Sequence, residues 1–330
     1  MSDNDMAIST DPSADANIDG TYAPLPPYND PSAGDAIIRT SDGVELHVRR
    51  SDLVIVGLDP NGMITGLHPS RGGPKPTFPV QETGNIWEKV LRICLVHEEE
   101  PYTLDDIAAL LEVGRKYDIA GMPSRLRYAL VQPAFLENEP VRVFLLASAY
   151  GIHDMAEIAA RRTLELATLR LSPFDALHAA SAADYHRLLA YREECGRVAT
   201  AVTRPRKGEE VLPGWIAGKL AHWRPLSMTC VGGCAAKSKT LLVVEGEGKP
   251  TTIYLRIRES WITYLETLGA MLAEQPRASL ASSPELIEPV ISSAVGCAHC
   301  AKTIYPNCTA FSRAMEAEIA KAVSKMKLTL

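Results

Sequence analysis

Residues 35–48 predict a β-hairpin, and this hairpin constrains the early fold more strongly than any other stretch of the chain. Asp42 and Gly43 stand between two apolar runs, and both residue types tolerate the positive φ of a tight primed turn. In the second strand, apolar side chains recur at every second position: Val44, Leu46 and Val48. This period of two allows one face of the strand to be buried, so we expect a small sheet that other elements cover.

Helical patterns dominate the chain after this hairpin. A strand over 77–80, placed at a sheet edge by its proline, leads into a buried helix over 85–95. Thr103 and Asp106 have the spacing of a capping box at a helix start, and Gly121 is expected to end that helix. The other predicted elements are helices over 124–130 and 140–151, helices starting at Asp154, Ser172 and Ser181, strands over 240–245 and 251–257, and helices over 261–272, 284–295 and 310–328.

Length and charge narrow the class of protein. The 330 residues suffice for about two domains, and the net charge of -6 argues against a large nonspecific nucleic-acid surface. No apolar run reaches the roughly 18 residues of a membrane-spanning helix, and the acidic start does not resemble a secretory signal. We therefore expect an intracellular protein, cytoplasmic or nuclear, whose cysteines are free or metal-bound rather than disulfide-bonded.

Composition divides the chain into four parts. Residues 1–25 are polar and lack an apolar period, so we predict a disordered leader. A small α+β domain over 26–133 is followed by a helical extension over 134–203. A charged linker then opens a small α+β domain over 204–330, which contains two cysteine pairs.

Several segments, in their order and spacing, resemble the BTB/POZ-domain proteins of basidiomycete fungi. They are residues 35–50, 80–82, 90–95, 113–119, 185–191 with Cys195, and 261–264 with the paired cysteines. The resemblance covers roughly residues 26 to 328 and implies a small sheet flanked by helices, used for protein–protein association without catalytic residues. It also implies candidate partners, because some members dimerise and others are substrate adaptors for cullin-type ubiquitin ligases.

The chain departs from this family pattern directly after the hairpin. The family usually has a His-Lys pair and then a helix containing Ser-Pro-x-Phe. This chain has Arg49 and Arg50 instead of that pair, and Gly57 and Pro60 stand where the family has Ser and Phe. We therefore expect a short or distorted helix here. Because this helix commonly contributes to the dimer and partner surface, the sequence leaves both homodimerisation and this partner surface open.

Two close cysteine pairs suggest a metal site in the last third of the chain. The pairs are Cys230 with Cys234 and Cys297 with Cys300. Zinc takes four thiolates in a tetrahedron, and His299 or Cys308 could replace a missing ligand. The alternative is that these residues are ordinary buried thiols, which are common in protein cores. The sequence therefore leaves structural zinc and plain buried thiols as competing interpretations.

The Cys-x-x-Cys spacing of Cys297 and Cys300 also suggests thiol–disulfide exchange. That chemistry favours a strand before the motif and a helix that starts at it. The helix predicted over 284–295 occupies the place of the strand, and Pro306 follows shortly after the motif. A thiol–disulfide oxidoreductase is therefore the least favoured interpretation.

The favoured interpretation is a non-enzymatic protein–protein interaction module, an adaptor of the BTB type. It requires no cofactor and has no predicted catalytic residues, and we expect neither nucleic acid nor a membrane as its partner. The different-class alternative is a zinc-stabilised structural or nucleic-acid-binding protein. The sequence does not identify the partner, because exposed binding residues form no recognisable motif here.

Overall fold

The computed structural model describes residues 22–57, 73–96, 101–119, 121–169, 181–203, 214–217, 238–245 and 251–329. Helices and small sheets occur together, which confirms the predicted α+β class. The chain divides into two units, residues 1–125 and 126–330. The predicted leader falls largely outside the described residues, and so does the helix predicted to start at Ser172. None of the described helices combines the length and the apolar character needed to cross a membrane.

The first unit begins with strands and continues with helices. Its elements are β1 (Ala36–Arg39), β2 (Glu45–Val48), α1 (Arg50–Val56), β3 (Thr77–Pro79), α2 (Gly84–Leu91) with a π-helical turn (Arg92–Val96), and α3 (Leu104–Lys116). The next helix, α4 (Met122–Leu130), spans the division between the units. The strand order is β2-β1-β3, with β2 antiparallel and β3 parallel to β1. The edge position predicted for β3 is confirmed.

The predicted hairpin is present, but its connection is longer than a two-residue turn. The connection runs from Thr40 to Val44, and within it Gly43 alone has a positive φ, of 79°. The Thr40 N–H donates to the Val44 carbonyl at 3.0 Å, and the Gly43 N–H donates to the Thr40 carbonyl at 3.0 Å. The Thr40 hydroxyl also donates to the Asp42 carboxylate. These bonds close a wider loop, so the prediction that Asp42 and Gly43 form a tight primed turn was wrong.

The core of the first unit lies between the sheet and its helices. Its largest fully buried side chains come from β1, β2 and the helices that follow: Ile38, Leu46, Leu53, Trp87, Leu91, Ile107, Leu110 and Leu111. The capping box of Thr103 and Asp106 is present, which confirms the predicted start of α3. This helix ends at Lys116, because Asp118 already adopts a left-handed φ of 53°, so the end predicted at Gly121 was wrong.

A buried carboxylate attaches the beginning of the described chain to α2. Glu88 is 2% exposed, accepts a hydrogen bond from the Leu25 N–H at 3.0 Å, and also accepts one from the Tyr22 hydroxyl. Arg92 pairs with the same carboxylate at 2.8 Å, and its guanidinium lies 6.0 Å from the centre of the Tyr28 ring. Burial raises the pKa of Tyr28 to about 12, so this ring stays neutral.

In its described residues, the second unit consists mainly of helices together with a two-stranded sheet. Its elements are α5 (Pro133–Asn138), α6 (Pro140–Ala149), α7 (His153–Thr163), α8 (Ala182–Thr203), α9 (Gly214–Ala217), β4 (Ser238–Glu245), β5 (Thr251–Arg258), α10 (Glu259–Glu274), a 3₁₀ turn (Ala278–Ser282), α11 (Pro284–Val295) and α12 (Ala298–Ser324). Strands β4 and β5 pair antiparallel, close to the predicted positions. The predicted helix over 284–295 coincides with α11.

The last helix is longer than the sequence predicts. Instead of covering residues 310–328, α12 begins at Ala298 and continues through Pro306. Proline removes one backbone hydrogen bond and crowds the preceding turn, so it normally interrupts a helix. Here buried side chains of α12 both precede and follow Pro306 in the sequence: Ile304, Cys308, Phe311, Met315 and Ile319. We infer that packing of these side chains offsets the local cost of Pro306.

Aromatic side chains lie in the hydrophobic core that α8 to α12 share in the second unit. Trp261 of α10 and Phe311 of α12 are 2% and 1% exposed, and their ring centroids lie 4.7 Å apart with an edge-on geometry. Tyr264 packs against both rings, and its hydroxyl donates to the Ala281 carbonyl at 2.6 Å. Trp215 stacks on Phe311 at 5.9 Å. These contacts connect α9, α10, α12 and the 3₁₀ turn.

Candidate functional site

The helix that follows the hairpin is short, as the sequence predicts. Its first residue, Arg50, is held by the Asp35 carboxylate, which accepts from the Arg50 N–H at 2.7 Å and from its Nε at 3.0 Å. At the other end, Gly57 has a φ of 86° and donates its N–H to the Val54 carbonyl at 3.0 Å. Both ends of α1 are therefore fixed, although the helix has only seven residues.

This short helix exposes two adjacent apolar side chains. Leu53 is 1% exposed and attaches α1 to the core, whereas Val54 is 42% exposed and Ile55 is 71% exposed. Successive helical residues are about 100° apart, so a helix with one buried face cannot bury three apolar residues in a row. The run Leu53-Val54-Ile55 was a visible signal of such a surface, but the sequence interpretation used Leu53 alone.

A polar cluster joins two segments that carry the family resemblance. The Glu82 carboxylate, after β3, accepts hydrogen bonds from Lys116 Nζ at 2.6 Å, the Tyr117 hydroxyl at 3.0 Å and Trp87 Nε1 at 3.1 Å. Burial alone raises the pKa of Glu82, but these hydrogen bonds outweigh it and the net pKa is lowered. Residues 80–82 and 113–119 therefore act together, fixing α3 next to the sheet edge.

The cysteine motif lies at the start of α12. Cys297 is half-buried and is the N-cap residue, while Cys300 is buried and belongs to the first turn. The guanidinium of Arg258, at the end of β5, donates from Nη2 to Cys300 Sγ at 2.7 Å. Arg258 is itself 5% exposed. A helix does start at the motif, so the expectation that Pro306 argues against one was wrong.

The zinc interpretation remains a prediction. Cys230 and Cys234 lie outside the described residues, so their position relative to Cys297 and Cys300 is not part of the structure. Among the residues that are described, no group of three or more His, Cys, Asp or Glu side chains is arranged to hold a metal ion. Of the two substitute ligands, His299 is exposed and Cys308 is buried. Burial raises the pKa of the Cys308 thiol to about 11, which opposes the thiolate form that zinc needs.

A small cavity lies between α8 and the end of the chain. Its volume is about 260 Å³, below the roughly 300 Å³ at which typical ligand pockets begin. Two of its charged side chains pair within α8: Arg187 with Asp184 at 2.6 Å and Glu194 with Arg197 at 2.5 Å. We therefore do not treat this cavity as the functional site.

Two features of the described chain remain as functional candidates. One is the exposed apolar pair Val54 and Ile55 on α1, and the other is the cysteine motif beside Arg258. The resemblance to BTB/POZ proteins stays a prediction from the sequence. Comparisons with known proteins gave no match for this chain among family models, curated proteins or solved structures.

Proposed function

We propose that this chain is a non-enzymatic protein–protein interaction module whose contact surface includes α1. The observation that carries the proposal is the exposure of Val54 and Ile55 on a helix whose two ends are fixed. Exposed apolar side chains cost little when isolated, but two adjacent ones on a rigid element provide a surface that a partner can bury. Burying Ile55 fully would contribute on the order of 1–2 kcal/mol to an association.

The arrangement of the first unit supports the same function. The hairpin and a third strand parallel to β1 form a small sheet, the short helix α1 lies between β2 and β3 in the chain, and further helices follow. This agrees with the small, helix-flanked sheet that the BTB/POZ resemblance implies. In that family the helix after the hairpin commonly contributes to the partner surface, and here that helix is α1. The proposed partner is another protein, and an adaptor role towards a cullin-type ubiquitin ligase belongs to the same proposal.

The test replaces the exposed pair and compares it with a matched apolar position. In the Val54→Glu, Ile55→Glu double variant, we expect a partner bound by the wild type to be lost, because two charges would enter the contact. Ile158→Glu is the control, since Ile158 of α7 is also exposed, at 43%. Proximity labelling in cells identifies partners, and light scattering after size exclusion measures the mass of the purified chain.

The results for these variants distinguish a surface that binds a partner from an exposed apolar patch that binds nothing. The proposal holds if the double variant loses a partner or a dimer that the Ile158→Glu variant keeps, with unchanged thermal unfolding in both. It fails if wild type and double variant have the same partners and the same mass in solution. A second copy of the chain as partner appears as a change in mass, whereas a different protein changes only the labelling pattern.

The adaptor role also implies that the protein is in the cytoplasm or nucleus. Imaging of a tagged chain in cells can check this.

A further inference from the structure

We propose that Cys297 and Cys300 are a reversible thiol–disulfide pair, oxidised and reduced by exchange with small disulfides such as oxidised glutathione. The site lies in the second unit and its chemistry does not depend on the interaction surface of α1. Failure of one proposal therefore leaves the other untouched. The proposal depends on the backbone at the start of α12, on the charge next to Cys300 and on the access to Cys297.

The backbone places the two cysteines at a separation that a disulfide can bridge. Ala298 and His299, the two residues between them, are helical, and the Ala301 N–H donates to the Cys297 carbonyl at 2.9 Å. In helical geometry, Cα atoms three residues apart are separated by about 5 Å. Disulfides usually span Cα separations of roughly 4.4–6.8 Å, so the Cα spacing of this pair lies within the range that a disulfide needs.

The surroundings of Cys300 favour its reactive form. The buried guanidinium of Arg258, a cationic group, contacts Cys300 Sγ at 2.7 Å. The first turn of α12 adds the partial positive charge of a helix N-terminus, at the end of a helix of 27 residues. A nearby cation and a helix N-terminus both stabilise thiolate, which is the nucleophile in exchange reactions. Cys300 is therefore prepared for the second step of an exchange, the attack on a mixed disulfide formed at Cys297.

Cys308 provides the contrast within the same helix. It is 2% exposed, and burial raises its pKa to about 11. Cys195 of α8 is fully buried, and burial likewise raises its pKa despite a hydrogen bond involving Tyr191. Thiols of this kind are inert because little thiolate forms. At Cys308 and Cys195, burial is the main influence on the pKa. At the start of α12, the buried Cys300 lies beside a cation, and the half-buried Cys297 can be reached by solvent.

The proposed chemistry is a two-electron exchange. The Cys297 thiolate attacks one sulfur of a small disulfide, forming a mixed disulfide and releasing one small thiolate. The Cys300 thiolate then attacks Cys297 Sγ, forming the Cys297–Cys300 disulfide and releasing the second small thiolate. The two protons of the protein thiols end on the two small thiols. The protein dithiol is thereby oxidised and the small disulfide is reduced.

The test measures the redox state of each cysteine in the full chain. Purified protein is equilibrated in buffers with different ratios of oxidised to reduced glutathione, alkylated in acid and digested with trypsin. Cleavage after Arg277, Lys302 and Arg313 places the motif in the peptide 278–302 and Cys308 in the peptide 303–313. We expect the first peptide to lose two hydrogens and both alkylation sites as the buffer becomes oxidising, while Cys308 stays alkylated.

Variants at Arg258 test the role assigned to its charge. In Arg258→Met the reduced form loses its stabilising cation, so the equilibrium should shift towards the disulfide by about tenfold or more. Arg258→Lys keeps a cation and should lie between this variant and the wild type. Circular dichroism verifies that both variants fold. If either variant does not fold, the redox titration of the wild type still tests whether the disulfide forms. Cys297→Ser and Cys300→Ser should each abolish the mass change.

Three results would overturn the proposal. The first is a peptide 278–302 that keeps both thiols in the most oxidising buffer. The second is a disulfide that joins Cys297 or Cys300 to a different cysteine. The third is stoichiometric zinc in the purified protein that is lost in the Cys297→Ser, Cys300→Ser double variant, because the zinc site predicted from the sequence would then use these thiolates.

Discussion

The two units differ in the contacts that join their elements around apolar cores. In the first unit, Glu82 and Glu88 each accept several hydrogen bonds, and these carboxylates join segments that lie far apart in the sequence. In the second unit, the rings of Trp261, Tyr264 and Phe311 meet edge-on between α10 and α12. Hydrogen-bonded carboxylates need defined geometry and charge, whereas aromatic packing depends mainly on shape and buried area.

This difference predicts different sensitivities. A unit whose segments are joined by hydrogen-bonded carboxylates should respond to loss of charge and, through Glu82, to acid, since both remove the negative charge that strengthens these hydrogen bonds. A unit centred on aromatic rings should respond chiefly to loss of volume, which leaves a cavity.

The largest expected effect is the truncation of Phe311. Its ring is 1% exposed and lies within 6.1 Å of three other aromatic rings, centroid to centroid. Phe311→Ala should lower the free energy of unfolding by about 3–5 kcal/mol, because it removes buried area and leaves a cavity. Urea denaturation followed by circular dichroism measures the loss, and hydrogen exchange should locate it in α10 and α12.

Tyr305→Ala is the matched control on the same helix. Its side chain is 68% exposed, so its removal should change the free energy of unfolding by less than about 0.5 kcal/mol. Equal losses in the two variants would contradict the role given to the aromatic cluster and would indicate that α12 depends on helix propensity instead.

The next effect is the loss of charge at Glu88. Glu88→Gln keeps the shape of the side chain but weakens its bonds with Arg92 and with the Leu25 N–H, so we expect a loss of about 1.5–3 kcal/mol. Hydrogen exchange should show reduced protection of the Leu25 amide. Glu112→Gln removes a carboxylate from an exposed pair with Arg115 and should leave the stability unchanged. If Glu88→Gln and Glu112→Gln change the free energy of unfolding equally, the charge of Glu88 is not what attaches residues 22–28 to α2.

Local signals predicted much of the fold. The capping boxes at Thr103 and Ser181 and the apolar pattern of 284–295 depend on residues within a few positions of one another, and the structure confirms each of them. The start of α12 was not predictable in this way. Pro306 is a local helix-breaking signal, whereas the burial that opposes it comes from partners on other helices.

The candidate sites, too, could be predicted only in part from residues that are close in the sequence. The Cys-x-x-Cys spacing is visible in the sequence, but Arg258 lies 42 residues from Cys300, and no local pattern connects them. The exposure of Ile55 likewise depends on which face of α1 the core covers, and that is set by Leu53 together with the buried side chains of the sheet. Sequence spacing therefore identified the thiols, while their chemical surroundings required the tertiary structure.

The smallest expected effect is the dependence of the first unit on pH through Glu82. Its pKa in the folded protein is lowered from the ordinary value of 4.5, because the bonds from Lys116, Trp87 and Tyr117 outweigh burial. The unfolded chain therefore binds a proton at this residue more readily than the folded chain does. The stability that Glu82 contributes is present above pH 4.5 and is lost as the pH falls through the lowered folded pKa.

Urea midpoints of the wild type and of Glu82→Gln, measured between pH 7 and pH 3, test this dependence. The wild type should be more stable by a constant amount at neutral pH, and that difference should shrink as the pH falls below the ordinary pKa of 4.5. Glu112→Gln, in its exposed pair, should show no such convergence. A difference between wild type and Glu82→Gln that is the same at pH 3 as at pH 7 would mean that the loss comes from the mismatched hydrogen-bond pattern of the amide and not from the charge of Glu82. The contrast between a charge-joined first unit and a ring-packed second unit would then rest on Glu88.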